Sequence, residues 1–274
     1  MPLSSDFTFT QSNLQDYLAC PRRFELRYID GQKWPAVDTE PVRERERHMQ
    51  QGADFHHMVH QHVIGVPESA LTASAKIDPL RRWWAAYLKN GPAGLPAQRH
   101  AEITLSVPLT GYRLLAKYDL IAVEAGERLI IIDWKTSLRV PTVAQMAVKM
   151  QTRIYPYVLV EAAFHLNGEK SIAPEQVTMV YWFAEAPDQP LHFDYSMAAH
   201  ERNREDLTAL IEEIAARDTF DLTADESRCR FCVYRSLCNR GVEAGDERDM
   251  VLEDGDVIDD PLDFDLDQIA EIEF

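Results

Sequence analysis

The order of sequence periods in these 274 residues predicts an α/β fold, a central mixed β-sheet flanked by helices. Three observations carry this prediction. Helical patterns dominate the first ninety residues, and three β-rich runs follow between residues 101 and 134. A helical stretch then separates these runs from two more strands, at 177–184 and 191–195. A hydrophobic content of 46% with 27% charged residues is ordinary for a globular chain, and the length suits one large domain with a full core.

Within residues 9–29, Leu14, Tyr17 and Leu18 mark a short helix with Ser12 as its N-cap. Pro21 breaks it before a second helical segment carrying Arg22, Arg23 and Arg27, with Cys20 at the junction. Gly31, Pro35 and Pro41 make residues 30–41 a loop. A long helix is predicted over 43–64, charged early and apolar later. Gly52 inside it costs about 1 kcal/mol against Ala, which close packing or an approaching ligand would explain. His56, His57, His60 and His62 follow; His56 and His60 share a face, but the Glu of a HExxH zinc motif is missing.

Residues 79–90 read as a helix whose Trp83-Trp84 pair belongs in the core. Alternation predicts a strand at 101–108, and residues 142–166 read as a helix with a break or kink at Pro156. That helix carries Gln151 and Tyr155 on one face. Residues 196–218 form an amphipathic helix with Leu207, Leu210, Ile211 and Ile214 on its apolar stripe. Neither an internal repeat nor a Walker A sequence is present.

The chemistry concentrates in residues 113–137. Runs 113–123 and 128–134 flank a Glu-Ala-Gly-Glu turn and read as a hairpin. If Glu124 pairs with Arg128, with Gly126 at positive φ, Asp119 falls opposite Asp133, and strand alternation puts Lys135 on the face of Asp133. Two carboxylates and an ammonium would meet where an apolar strand emerges. Such a trio can hold Mg²⁺ or Mn²⁺ beside a phosphate while the lysine orients a water.

A net charge of −17 argues at first against a nucleic-acid partner. Residues 243–274, however, hold fourteen of the 45 acids and one of the 28 bases, which leaves residues 1–242 at −4. The chain therefore divides into a body, 1–242, and an acidic tail, 243–274, with the composition of a disordered extension that could also dock on a basic partner. Neither a signal peptide nor an apolar run long enough for a membrane span is seen, which predicts a cytoplasmic protein with no membrane partner.

The four cysteines are Cys20, Cys229, Cys232 and Cys238, the last three spaced C-x2-C-x5-C. In a cytosolic protein this pattern favours metal ligation over disulfides, with Cys20 as the fourth ligand; spacing leaves zinc and iron–sulfur both open.

Taken together, these motifs resemble the RecB-like branch of the PD-(D/E)XK nuclease superfamily, and within it the iron–sulfur nucleases. Those include the AddB nuclease domain and the CRISPR-associated RecB-like exonucleases. The resemblance runs from about Phe9 to Gly241. It implies a restriction-endonuclease-like core whose N- and C-terminal segments are clipped by a 4Fe–4S cluster on Cys20, Cys229, Cys232 and Cys238. Gly52-Ala-Asp-Phe-His56 is similar to the Gly-x-x-x-His motif, which nominates His56 as a metal ligand. Asp119 resembles the acidic residue of the second motif, with Lys117 where a glycine is usual. Asp133-Trp134-Lys135-Thr136 resembles Asp-x-Lys-Thr, which makes Asp119, Asp133 and Lys135 catalytic, the two acids also holding Mg²⁺ or Mn²⁺. Gln151 and Tyr155 match Gln-x-x-x-Tyr and are implied to contact substrate; Glu102 is read as structural. The implied function is a metal-dependent DNA nuclease, an exonuclease in DNA repair, recombination or CRISPR adaptation, acting on DNA and assembling with a helicase or CRISPR adaptation partner. The alternative is a non-catalytic DNA-end-binding or assembly subunit of a helicase–nuclease complex.

Overall fold

The central strands are apolar on both sides: Leu129 and Ile131 join one core, Ile132 and Trp134 another. A helical layer therefore has to cover each face of the sheet. The computed structural model describes residues 3–32, 40–230 and 232–241, with the side chains of 40–46 left aside. The acidic stretch 243–274 lies outside the described residues, as does most of the loop expected at 30–41.

The chain opens with a short strand, β1 (Thr8–Phe9), and helix α1 (Gln11–Ala19). Helix α2 (Pro21–Phe24) runs into a π-helical turn at Glu25–Ile29. The long helix α3 (Glu40–Val63) is followed by α4 (Glu68–Ser74) and α5 (Asp78–Asn90). Three strands come next: β2 (Gln98–Leu109), β3 (Tyr112–Glu124) and β4 (Arg128–Lys135). Helices α6 (Val143–Ala147) and α7 (Met150–Ala162) lead to β5 (Val177–Phe183), β6 (Leu191–Asp194) and α8 (Met197–Ala215).

The sheet is mixed, as predicted. β4 and β5 run parallel; β2–β3, β3–β4 and β5–β6 are antiparallel. β2 pairs with β3 along most of one edge, so β1 (at Arg113 and Leu114) and β4 (at Leu120–Glu124) share the other edge. On one face Leu14 and Tyr17 of α1, Ile154 and Val158 of α7, and Leu207, Ile211 and Ile214 of α8 pack on the strands. On the other, Phe55 and Val59 of α3 and Trp83 and Trp84 of α5 pack on Leu120, Ile132, Trp134 and Trp182. The tryptophan pair is core, as read. No helix among the described residues is long and apolar enough to cross a membrane.

Two local expectations are corrected. The N-cap of α1 is Thr10, not Ser12: its hydroxyl accepts the Asn13 N–H at 3.3 Å while Asn13 Oδ1 accepts the Thr10 N–H at 2.9 Å. This reciprocal pair satisfies two donors at once. The helix expected at 142–166 breaks at Val148-Lys149, before α7, and Pro156 sits inside α7. There the break is set from outside, because Gln15 Oε1 of α1 accepts the first α7 amide, Met150 N–H, at 3.2 Å.

The hairpin forms in the predicted register. Glu124 pairs with Arg128, and Gly126 takes φ 83° at the turn. Buried Asn167 pins that turn: its Oδ1 accepts the Gly126 N–H at 2.7 Å, and its Nδ2 donates to the carbonyls of Lys170 and Ser171. Asn167→Ala would leave these backbone groups without partners. It is expected to lower the unfolding free energy by about 2 kcal/mol, measured by urea denaturation.

Candidate active site

The paired residues of β3 and β4 stop at Leu120 and Ile132, one step short of Asp119 opposite Asp133. At that step the strands part, and Asp119 Oδ2 accepts the Trp134 N–H at 2.8 Å in place of a backbone acceptor. Core membership shows why Asp119 is free to do this. Leu114, Ala116 and Tyr118 belong to the α7 side, as do Ile121 and Val123, whereas Leu120 belongs to the α3 side. The alternation of β3 is thus re-phased at Asp119. Its neighbour across the β2 ladder, Glu102, is re-phased too: Ile103 packs on the α7 side, Ala101 on the α3 side, and Glu102 has φ 52°. A left-handed residue in mid-strand is strained unless its surroundings hold it, here an ion pair to Lys117 at 2.7 Å.

Helix α3 closes the fork from one face. His56 Nδ1 lies 3.3 Å from Asp119 Oδ1. Four residues earlier, a Cβ on Gly52 would stand 2.9 Å from Thr136 Oγ1, so the glycine predicted to need a packing reason has one. Four residues earlier again, His48 Nε2 lies 3.1 Å from the Thr136 carbonyl oxygen. The stripe 48–52–56 seats α3 against Thr136, just past β4, and against Asp119 of β3.

From the other face, α7 supplies Gln151, whose Nε2 donates to Asp133 Oδ1 at 2.5 Å. Lys135 Nζ sits 2.9 Å from Asp133 Oδ2 and 5.7 Å from the centroid of the Tyr181 ring. The Tyr181 hydroxyl is tied to Thr152 Oγ1 of α7 at 2.8 Å. Asp133 and Lys135 are both buried, at 4% and 6% exposure. The structure therefore brings together His56, Asp119, Asp133, Lys135 and Gln151. Tyr155 lies one turn along α7, its ring packed against Tyr118 at 4.9 Å. His57 points outward and does not join the group.

The electrostatics separate the two carboxylates. Burial pushes Asp133 up to about 7; Lys135 works against that shift and the Asp119 charge reinforces it. Burial alone would also raise Asp119. The charge and hydrogen bond of His56, the Trp134 N–H and Lys135 overcome it and hold Asp119 below its ordinary value. Asp133 Oδ2 is buried and accepts no hydrogen bond of good geometry, so its contact with Lys135 is ionic and leaves lone-pair capacity. A hard cation fits that oxygen and the adjoining Asp119 carboxylate in donor chemistry. Among the described residues, no group of three or more His, Cys, Asp or Glu side chains is placed so that it could hold a metal ion. Each carboxylate here is turned to the nearest lysine, histidine, amide or backbone donor.

The cysteines meet elsewhere. Cys20, Cys229, Cys232 and Cys238 line one pocket together with Arg23, Arg228, Arg235 and Tyr234. All four are free thiols. Burial first, then the neighbouring thiols, pushes Cys229 and Cys238 up; burial does the same for Cys232. The two ends of the body are joined around this pocket. Arg22 N–H donates to the Asp221 carbonyl at 3.1 Å, and the Tyr234 hydroxyl donates to the Gln32 carbonyl at 2.9 Å.

His48 and Tyr181 escaped the sequence reading. The spacing of eight residues between His48 and His56, with Gly52 midway, was the signal for the first; nothing local marks the second.

Residues 8–239 match the family model of the PD-(D/E)XK nuclease superfamily. Among solved structures, a protein from Eubacterium rectale named "Putative exonuclease" shares 9% identity, over 90% of this chain and 93% of that one, with a TM-score of 0.50. The structure of SSO0001 shares 15% identity, over 86% of this chain and 87% of that one, with a TM-score of 0.40. No curated protein matches the chain.

The raised Asp133 has a consequence for stability. In the folded, metal-free protein Asp133 keeps its proton up to about pH 7, whereas in the unfolded chain it ionises near the ordinary carboxylate value. Its stabilising contribution is thus complete at low pH and is lost as pH rises through 7. The melting-temperature difference between the parent and Asp133→Asn, measured in EDTA, should shift against the parent between pH 5 and pH 8. A constant difference would show that Asp133 does not titrate in that window.

Proposed function

This chain belongs to the PD-(D/E)XK nuclease superfamily, and from that premise we propose that it is a divalent-metal-dependent deoxyribonuclease, acting as an exonuclease. The observation that carries the proposal is the fork itself. His56, Asp119, Asp133, Lys135 and Gln151, drawn from α3, β3, β4 and α7, converge where β3 and β4 separate.

In this reading His56, Asp119 and Asp133 would hold Mg²⁺ or Mn²⁺, which supplies an activated water and charge neutralisation at the phosphate. Lys135 Nζ, steadied by Asp133 Oδ2 and the Tyr181 ring, orients the attacking water and offsets charge developing on the phosphoryl oxygens. Asp133 must shed its proton to serve as a ligand, and its raised value sets the pH at which it does so. Gln151 fixes the rotamer of Asp133 through Oδ1 and leaves Oδ2 for the cation. Tyr155, implied by the resemblance to contact substrate, is buried with its ring against Tyr118.

Four cysteines and three arginines line the pocket, a donor set that suits a 4Fe–4S cluster in its chemistry. Cys20, Cys229, Cys232 and Cys238 would hold the cluster and staple the two ends of the body. The resemblance to RecB-like enzymes supports a setting in repair, recombination or CRISPR adaptation, with a helicase or adaptation complex as partner.

The test compares anaerobically purified parent with Lys135→Ala and Asp133→Ala on end-labelled single- and double-stranded DNA, with Mg²⁺ and with Mn²⁺. Each variant is expected to cleave at least about 100-fold more slowly while retaining the parent's circular dichroism spectrum. Parental activity in either variant would refute these roles. Lack of cleavage by the parent itself, with its chromophore intact, would favour the DNA-end-binding subunit. Cys229→Ser is expected to lose the brown chromophore and melt at a lower temperature, because metal binding adds to folding free energy.

A further inference from the structure

Past the re-phasing at Glu102 and Asp119, one face of the sheet includes exposed polar side chains among the described residues. Beyond that kink, β2 and β3 continue as a two-stranded ribbon whose α7-side residues, Leu105, Val107, Leu114 and Ala116, are core. The opposite face of the ribbon carries Thr104, Ser106 and Pro108 on β2, paired with Lys117, Leu115 and Arg113 on β3. Thr104, Ser106, Pro108 and Arg113 are exposed, while Leu115 and Lys117 are half-buried. Arg113 has no ion-pair partner among the described residues. The face thus carries two cations, Lys117 and Arg113, and two hydroxyls, with Leu115 between the cations, and it leads toward Asp119.

We propose that this face of the β2–β3 ribbon is a phosphate track that leads a nucleic-acid strand to the fork, with Lys117 and Arg113 contacting its phosphodiester backbone. The proposal rests on the nuclease reading and gives its substrate a path. At about 3.4 Å per residue, Lys117 lies roughly 7 Å from Asp119 along β3 and Arg113 about 20 Å, far enough apart to meet different phosphates. Hydroxyl groups on Thr104 and Ser106 add neutral donors between them, the mixture typical of backbone contacts that position a strand without reading its bases.

Glu102 has a defined part. Its carboxylate, held by a left-handed backbone, sits 2.7 Å from Lys117 Nζ. Directly opposite Asp119, an extended Glu102 would set two carboxylates face to face across the ladder, an unfavourable pair. Turned toward Lys117, it fixes that ammonium on the ribbon face and partly neutralises it. A phosphate arriving at Lys117 therefore competes with Glu102. Neutralising the glutamate should tighten strand binding, whereas loss of a purely structural ion pair would leave binding unchanged or weaken it.

The experiment measures binding of a fluorescein-labelled 20-nucleotide single-stranded DNA by anisotropy, in Ca²⁺ to suppress cleavage, across a salt series. Parent, Lys117→Gln, Arg113→Gln and Glu102→Gln are compared, each checked for a parental circular dichroism spectrum. Lys117→Gln and Arg113→Gln should each bind about 3- to 10-fold more weakly at low salt and lower the salt slope by about 0.7. Glu102→Gln should bind more tightly than the parent. Arg113→Gln alters only an exposed side chain, so it remains informative if a change at the ion pair disturbs folding. Parental slopes in both cation variants would overturn the track while leaving the nuclease reading intact. A parent that neither binds nor cleaves DNA would overturn both.

Discussion

The site depends on one hydrogen bond that ought not to exist in a regular sheet. Where β3 and β4 would continue their ladder, the Trp134 N–H is taken by the carboxylate of Asp119. Backbone donors at the end of a buried strand need an acceptor, and here a side chain provides it. That substitution lets the two strands diverge without leaving a polar group unpaired. The opening it creates is wide enough for side chains from both helical layers. His56 enters from α3 and Gln151 from α7, each to a different carboxylate. Without the divergence, the two layers would remain separated by a closed sheet.

The same divergence sorts the acids electrically. Asp119 gains a backbone donor and an imidazole; Asp133 gains a primary amide and an ammonium but sits deeper in apolar surroundings. Two chemically identical groups, one step beyond the last paired residues, are shifted in opposite directions from the ordinary carboxylate value. That arrangement is how a buried pair can present one fixed anion and one that answers to its occupant. The second layer sustains it: the Tyr181–Thr152 contact ties β5 to α7 behind Lys135, and the His48–Thr136 contact ties α3 to the end of β4.

Much of this was legible in the sequence because it follows from strong local rules. A glycine in a three-residue turn sets the hairpin register, and strand alternation then places Asp119, Asp133 and Lys135. The resemblance to Gly-x-x-x-His, not helical spacing, picks His56 from its neighbours, and Gly52 turns out to be a contact point. What escaped depends on the backbone or on long-range contacts. The partner of His48 is a carbonyl oxygen, which no residue letter records. The regular alternation of 101–108 concealed the left-handed Glu102, because a re-phased strand and a continuous one look alike over so few residues. A break or kink was expected at Pro156; the helix instead breaks at Val148-Lys149, where Gln15 of α1 accepts the Met150 N–H. The cysteines were read as one group from their number and spacing, and the pocket at the junction of residues 20 and 229–238 brings all four together.

That junction also constrains how the chain can be made. The opening segment meets residues 221–238 through Arg22, Gln32 and the cysteine pocket. Those partners lie some two hundred residues downstream, so on a translating ribosome the first helices emerge long before the surface they must join. At roughly 5–20 residues per second, that interval is about 10–40 s. During it Phe24 and Tyr17, which later pack on Phe220, have no C-terminal wall to cover them. Closure of this junction therefore waits for residues 221–238, so the segment around Arg22 and Phe24 is sealed long after it is made.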